Sequence, residues 1–245
     1  MGILLTVSYD GTNYCGWQDQ KNGKSVQEAL SSTIKEILKD NITMLGASRT
    51  DAGVHALGQR AHVIPHSPSK IPVGKLPLVL NAFLPEDIRV TDAANVSDNF
   101  HPINEAKSKT YRYAICNTRY QNPLLRNFSA FIPAELSMPK MVVAARHFVG
   151  EHDFAAFCAS GSIVKSTVRT VYALDVIKGD ELIEITIRGN GFLYNMVRII
   201  SGTLADVGLG KIPPDDIPAI IQSGDRTRAG KTMPPQGLTL LEVCY

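Results

Sequence analysis

The chain predicts an α+β fold built from two ferredoxin-like, split βαβ halves, on three observations. Its first hundred residues read strand, helix, strand, strand, helix, strand, the order also used by RNA-recognition modules. Its second half looks like a looser variation on that plan, although no sequence repeat marks a duplication. No low-complexity linker separates the halves, which predicts one shared, mostly antiparallel sheet with helices on one face and a cleft between 1–98 and 99–245.

Ile3 to Tyr9 is a short β-rich run, and Asp10-Gly11-Thr12-Asn13 ends it with strong turn chemistry. Tyr14-Cys15-Gly16-Trp17 follows, an aromatic pair beside a glycine that reads as packing. Ser25-Val26-Gln27-Glu28 is a capping box, with Val26, Leu30, Ile37 and Leu38 at helical spacing behind it. Ile42 to Ala47 and Gly58 to Ile64 read as strands. Gly74 to Leu84 reads as a helix with Pro77 in its first turn, and the chain from Pro85 to Val90 opens another strand.

In the second half, Lys109 to Asn117 alternates Tyr111, Tyr113 and Ile115 against Arg112 and Ala114, the period of a half-buried strand. A helix is expected from Pro139 to Val149. Thr167 to Ile177 and Glu181 to Arg188 form the arms of a hairpin across Lys178-Gly179-Asp180. From Phe192, the positions Leu193, Val197, Ile200 and Leu204 predict a helix to Gly208 with Arg198 beside its buried stripe. A short helix at Asp215 to Gln222 and a strand from Leu238 to Val243 complete the reading.

Composition narrows function only by exclusion. With 44% hydrophobic and 20% charged residues among 245, the chain reads as an ordinary globular protein able to bury a core without staples. Lys and Arg number 25 against 23 Asp and Glu, so any basic groove must come from local arrangement. Cys15, Cys116, Cys158 and Cys244 are widely spaced, which speaks against a thiolate zinc site or disulfide framework and fits reduced thiols in the cytoplasm. Ile3-Leu4-Leu5-Thr6-Val7 has neither the basic flank of a signal peptide nor the length of a membrane span.

One stretch stands out for chemistry. Gly46 to Ala56 sets a lone carboxylate, Asp51, on a tight connection between two strands, held by backbone and not by long side chains. His55, His62 and His66 are close in sequence, but they are read on different strands or turns with no Asp or Cys at ligand spacing, so no metal is expected. No Walker, Rossmann or G-x-S-x-G motif appears. An Asp with its ordinary pKa of about 3.9 is ionised at neutral pH, and enclosing it beside a base calls for a cation nearby.

Arg49-Thr50-Asp51-Ala52-Gly53-Val54-His55-Ala56 resembles the signature of the tRNA pseudouridine synthase A family. The resemblance runs on through Tyr9-Asp10-Gly11-Thr12 with Gly16-Trp17-Gln18, Asn81 to Val90, Tyr111-Arg112-Tyr113, His152-Asp153-Phe154, Asn190 to Arg198, and Pro234 to Leu240. It implies that Asp51 is the nucleophile, that Arg198 forms an ion pair with it, and that Tyr111 stacks on the target base, with Tyr113 as the core residue. It also implies that Arg49, Phe100 and His101 touch the RNA backbone or the flipped nucleotide. Two departures stand out: Ser48 replaces the usual Gly, and His101-Pro102-Ile103-Asn104 replaces His-Ala-Arg-Phe, removing a cation at Ile103.

The implied activity is that of an isomerase, an intramolecular transferase converting uridine to pseudouridine at positions 38 to 40 of the tRNA anticodon stem-loop. The family needs no metal or organic cofactor, acts as a homodimer and binds no membrane. Arg60, Lys107, Lys109, Arg112, Arg126, Lys165 and Arg169 are candidates for the lining of a basic cleft. The rival readings are a non-catalytic RNA-binding module of the same build, a synthase with a shifted RNA target, and a lyase or glycosidase, for which no second acid sits near Asp51.

Overall fold

The computed structural model describes residues 1–20, 23–161 and 164–245. In chain order its elements are β1 (Gly2–Tyr9), α1 (Val26–Leu38), β2 (Ile42–Gly46), β3 (His55–Pro65), α2 (Leu76–Asn81), β4 (Ile88–Val96), β5 (Ser108–Cys116), β6 (Ala130–Phe131), α3 (Met138–Arg146), β7 (Gly150–Asp153), β8 (Val168–Lys178), β9 (Leu182–Gly189), α4 (Met196–Gly208), α5 (Ile217–Ser223) and β10 (Leu238–Cys244). Two compact units result, Met1–Lys107 with Thr239–Tyr245, and Ser108–Leu238. The expected division at residue 98 is therefore displaced in two ways: the segment up to Lys107 stays with the first unit, and the C-terminal strand returns to it.

In the first unit β1 pairs antiparallel with both β3 and β4, and β2 pairs antiparallel with β3, giving the order β4-β1-β3-β2 of a split βαβ sheet. The remaining stretch of β3's far edge, at His55 and Ala56, takes β10 as a parallel neighbour through Thr239 and Leu240. Gly58 makes room for this, since a Cβ there would lie 2.3 Å from the Leu241 carbonyl oxygen. Ile3, Leu5 and Val63 on one sheet face meet Ile34 and Leu38 of α1 and Leu76 and Leu80 of α2. Ser25 caps α1 as expected, accepting from the Glu28 N–H at 3.0 Å. The buried stripe of α1 runs Val26, Leu30, Ile34, with Ile37 and Leu38 at its margin. α2 is shorter than predicted because Asn81 turns its side-chain amide to β4, donating to the Val90 carbonyl and accepting from the Val90 N–H, both at 2.8 Å.

The second unit orders its strands β5-β9-β8-β7, all antiparallel, with β6 parallel on the outer edge of β5. The split βαβ plan is varied here: α3 joins β5 to β7, β8 and β9 form a direct hairpin, and α4 follows β9. Tyr111, Tyr113 and Ile115 lie opposite Ile187, Ile185 and Ile183, and all six are buried on one face. Phe148, Phe154 and Phe157 form an edge-to-face aromatic cluster in the same unit. β6 and β7 are too short to carry a periodic signal, and α4 starts at Met196, four residues later than its hydrophobic period, because Asn195 adopts a left-handed φ of 59°.

Residues 97 to 105 form a strap beside the first unit's sheet. Phe100 meets the ring of His62 edge-on at 5.7 Å and that of Tyr245 at 4.9 Å, and the Tyr245 hydroxyl donates to the Pro102 carbonyl. His62 is buried, and its Nε2 has no hydrogen-bond partner. Burial holds the imidazole below its ordinary 6.5, with Asp98 and Glu105 opposing the shift. The unfolded chain thus binds this proton more readily, so the stability that neutral His62 contributes is present above about pH 6.5 and is lost as pH falls toward the folded-state value. Melting at pH 7.5 and 5.5 is expected to show a steeper fall in Tm for the wild type than for His62→Gln; equal slopes would remove the strap from the acid sensitivity.

Candidate active site

Asp51 is half-buried on the turn that leads into β3, and main chain holds it on both sides. The Thr50 carbonyl accepts from the Trp17 N–H at 3.1 Å, the Gly53 N–H donates to the Tyr14 carbonyl at 3.3 Å, and the Val54 N–H closes the turn on the Asp51 carbonyl at 3.2 Å. The loop between β1 and α1, residues 10 to 17, thus wraps the turn. The contact is close enough to require glycine twice. A Cβ on Gly11 would stand 2.0 Å from the Val54 oxygen, and one on Gly16, whose φ is 99°, 2.5 Å from the Thr50 oxygen. Side chains add to the wrapping: the Tyr9 and Thr50 hydroxyls are 2.7 Å apart, and the Tyr14 hydroxyl donates to Asp87 at 2.6 Å. Tyr14 and Trp17 are both buried, so this aromatic pair is packing, with the indole lying against Gly46.

The lead-in is held in the same manner. Gln59, fully buried, accepts from the Ser48 N–H at 3.1 Å and donates to the Ser48 carbonyl at 2.6 Å, extending the ladder between β2 and β3 with a side-chain amide. Ser48 is not among the residues at positive φ, so a serine in place of glycine costs no backbone strain.

The second unit ties Tyr113 and Arg198 to one short segment, and Tyr111 lies two residues from Tyr113 on β5. Arg198, half-buried on the first turn of α4, donates from Nε to the Met233 carbonyl at 2.7 Å and from Nη1 to Asn195 Oδ1 at 2.6 Å. The Tyr113 hydroxyl donates to the next carbonyl, that of Pro234, at 2.7 Å, and a Cβ on Gly237 would meet its ring at 2.6 Å. Burial pushes the Tyr113 hydroxyl above its ordinary range, with the Arg198 guanidinium opposing. Tyr113 is a core residue. Tyr111 lies two residues along the same face, 7% exposed, with the Phe192 ring edge-on at 5.3 Å. Lys109 continues this face opposite Gly189, and burial pulls its ammonium down to about 8. The sequence marks Lys109 only as one of seven candidates for a basic cleft, with no sign of this burial.

Asp51 and Arg49 belong to the first unit, as do Phe100 and His101; Tyr111 and Arg198 belong to the second. Arg49 is exposed two residues before Asp51. Phe100 packs on His62, seven residues beyond His55 on β3, which places it on the order of 20 Å along the strand from the Asp51 turn. His101 accepts from the Asn104 N–H through Nδ1, and its own N–H donates to Glu105. His55 and His62 share β3, contrary to the expectation of different strands or turns. Among the described residues no three His, Cys, Asp or Glu side chains group as a metal site would. Sequence reasoning gave no task to Gly11 and Gly16, which allow close backbone contact, and missed Gln59, whose side-chain amide bonds the Ser48 peptide.

Gly16→Ala is expected to force the wrapping loop off Thr50. A strained left-handed residue costs roughly 1–3 kcal/mol, so Tm should fall by about 2–10 °C in a chain of this size. Gly74→Ala, where a Cβ meets nothing within 4 Å, is the control and should melt with the wild type.

The model of the family described as tRNA pseudouridine synthase matches residues 5–103 and 144–245. A tRNA pseudouridine synthase A of Thermoanaerobacter sp. (strain X514) is 51% identical over 243 residues, covering 99% of each chain. Proteins of the same name from Caldicellulosiruptor saccharolyticus and Geotalea uraniireducens are 49% and 46% identical over the same length. Among solved structures, a chain of a Cbf5-Nop10-Gar1 complex aligns with 97% of this chain at a TM-score of 0.40 and 15% identity. This chain spans about half of that one (48%), and at such a score the likeness carries no weight for fold or function. On the family match and the full-length identities, the chain belongs to the tRNA pseudouridine synthase A family.

Proposed function

We propose that this protein isomerises uridine to pseudouridine in tRNA, at positions 38 to 40 of the anticodon stem-loop, with Asp51 as the covalent nucleophile. The observation that carries the reading is the Asp51 turn, fixed through the carbonyl of Thr50 and the N–H of Gly53 in a chain of this family. A carboxylate whose flanking peptides are both hydrogen-bonded is aimed before substrate arrives, and such pre-ordering is what a covalent step requires. In the reaction the bond from uracil N1 to the ribose C1′ breaks, the base turns while held, and a bond from C5 to C1′ forms. C5 gives up its proton and N1 gains one, so the product balances with no cofactor.

The remaining roles follow from the family. Arg198 balances the charge of Asp51, with its guanidinium oriented by Met233 and Asn195. Tyr111 stacks on the extruded base, offsetting the few kcal/mol that unstacking costs, and takes the C5 proton. Arg49 and His101 meet the RNA backbone, and Phe100 anchors the strap that carries His101. The working form is a cytoplasmic homodimer; no helix among the described residues is long and apolar enough to cross a membrane.

Chemical mapping of pseudouridine in a tRNA pool, from a host lacking this modification, tests the reading. Wild-type protein should convert uridines at 38 to 40. Asp51→Asn should bind tRNA within a fewfold of wild type while its single-turnover rate drops at least ~10³-fold, the scale of removing a catalytic nucleophile. Conversion undiminished in Asp51→Asn would refute covalent catalysis by this residue. Tight tRNA binding without any conversion by the wild type would instead favour the non-catalytic module.

A further inference from the structure

We infer that His55 is a positioning residue for the reaction, its Nδ1 serving as the fixed acceptor that pins the wrapping loop to the Asp51 turn. This rests on Asp51 as the nucleophile. His55 is the first residue of β3 and is 3% exposed. The Gly11 N–H points at its Nδ1 over 3.0 Å. A backbone N–H only donates, so Nδ1 carries a lone pair and the neutral ring keeps its proton on Nε2.

The same nitrogen has a second neighbour. Asp10 Oδ1 lies 3.1 Å from it, and that oxygen already accepts from the Thr12 N–H at 2.9 Å and the Thr12 hydroxyl at 2.6 Å. One nitrogen cannot accept from Gly11 and donate to Asp10 together. With Asp10 satisfied by Thr12, the Gly11 bond is the one that has no substitute.

Gly11 is also where the loop presses on the turn, its Cα facing the Val54 carbonyl with no room for a side chain. Val54 in turn donates to the Asp51 carbonyl. A second path leaves the same residue, because the Gly11 carbonyl accepts from the Tyr14 N–H and the Tyr14 carbonyl accepts from Gly53. Both contacts on the Gly53 and Val54 side of Asp51 therefore trace back to one acceptor, while the Thr50 side is held separately by the Trp17 N–H. Losing it leaves a buried N–H unpaired, which the loop relieves by lifting from the turn, and the carboxylate loses its aim while the groups that hold RNA stay in place.

The test compares His55→Leu, His55→Asn and His55→Gln. Asn places an oxygen two bonds from Cβ, where Nδ1 stands; Gln places it one bond farther. In single-turnover and steady-state pseudouridine formation on transcribed tRNA, Leu should lower kcat about 10- to 100-fold, the scale of a misplacement near 1 Å, with KM within about threefold. Asn should recover most of kcat and exceed Gln severalfold. Hydrogen exchange at the Gly11 amide should be slow in wild type and Asn and fast in Leu. Undiminished kcat in Leu, or Asn as slow as Gln, overturns the inference; if Leu does not fold, the Asn and Gln pair still decides. Failure of the wild type to form any pseudouridine overturns the function, whereas the exchange pattern reports on the pin alone.

Discussion

A carboxylate on a two-bond stem points where its backbone points it. The grip on the two peptides that flank Asp51 is therefore the constraint that decides where this carboxylate points. A long side chain in place of either main-chain group would add up to about 2 kcal/mol of lost rotamer freedom to the backbone ordering that the loop already requires. The loop after β1 supplies main chain instead, from Tyr14 and Trp17. Glycine is needed at Gly11 and Gly16 for a physical reason: two peptide backbones in van der Waals contact leave no volume for a Cβ.

The second unit uses the same device. Arg198 and Tyr113 are tied to consecutive carbonyls, those of Met233 and Pro234, on a segment that is itself pressed to α4. A Cβ on Gly202 would fall 1.9 Å from the Lys231 oxygen, and the Gly230 N–H donates to the Thr203 hydroxyl at 2.9 Å. The helix and the segment approach as backbones, so a guanidinium on the first turn of α4 reaches a carbonyl without extending. The two tyrosines of β5 divide accordingly. Tyr113 meets Pro234 and Gly237 and is a structural member, whereas Tyr111 stands perpendicular to the Phe192 ring.

Much of this was legible in the sequence, and what was not has identifiable causes. Strands and helices with a full hydrophobic period, such as β1, α1, β5 and the β8–β9 hairpin, fall within a few residues of their expected bounds. α4 begins late because one left-handed residue, Asn195, interrupts a period that continues past it. The return of β10 to β3 is a parallel, long-range pairing, and no local pattern encodes a partner nearly two hundred residues away. The family windows singled out Asp51, Tyr111 and Arg198 and ran through Gly11 and Gly16 without giving those glycines a task, and Gln59 lay outside them. Their contribution is a backbone distance, and residue type alone does not state which backbone will come near.

The arginines show why a charge count says little about RNA binding here. The formal net charge is only +2, and several guanidiniums are occupied within their own unit. Arg89 donates to the carbonyls of Pro85 and Ile88, Arg169 to those of Ser166 and Val168, and Arg226 to those of Ala229 and Gly230. Arg112 faces Glu184 at 3.0 Å, on the sheet face opposite Tyr111, so its charge is locally cancelled. Each such bond fixes a loop and also fixes the direction in which the remaining N–H groups project. A phosphate that meets a guanidinium already oriented in this way loses less freedom on binding than one that must organise a mobile side chain. The near-neutral balance of the whole chain is compatible with a tRNA substrate, since a few directed cations can hold phosphates while non-specific attraction to polyanions stays weak.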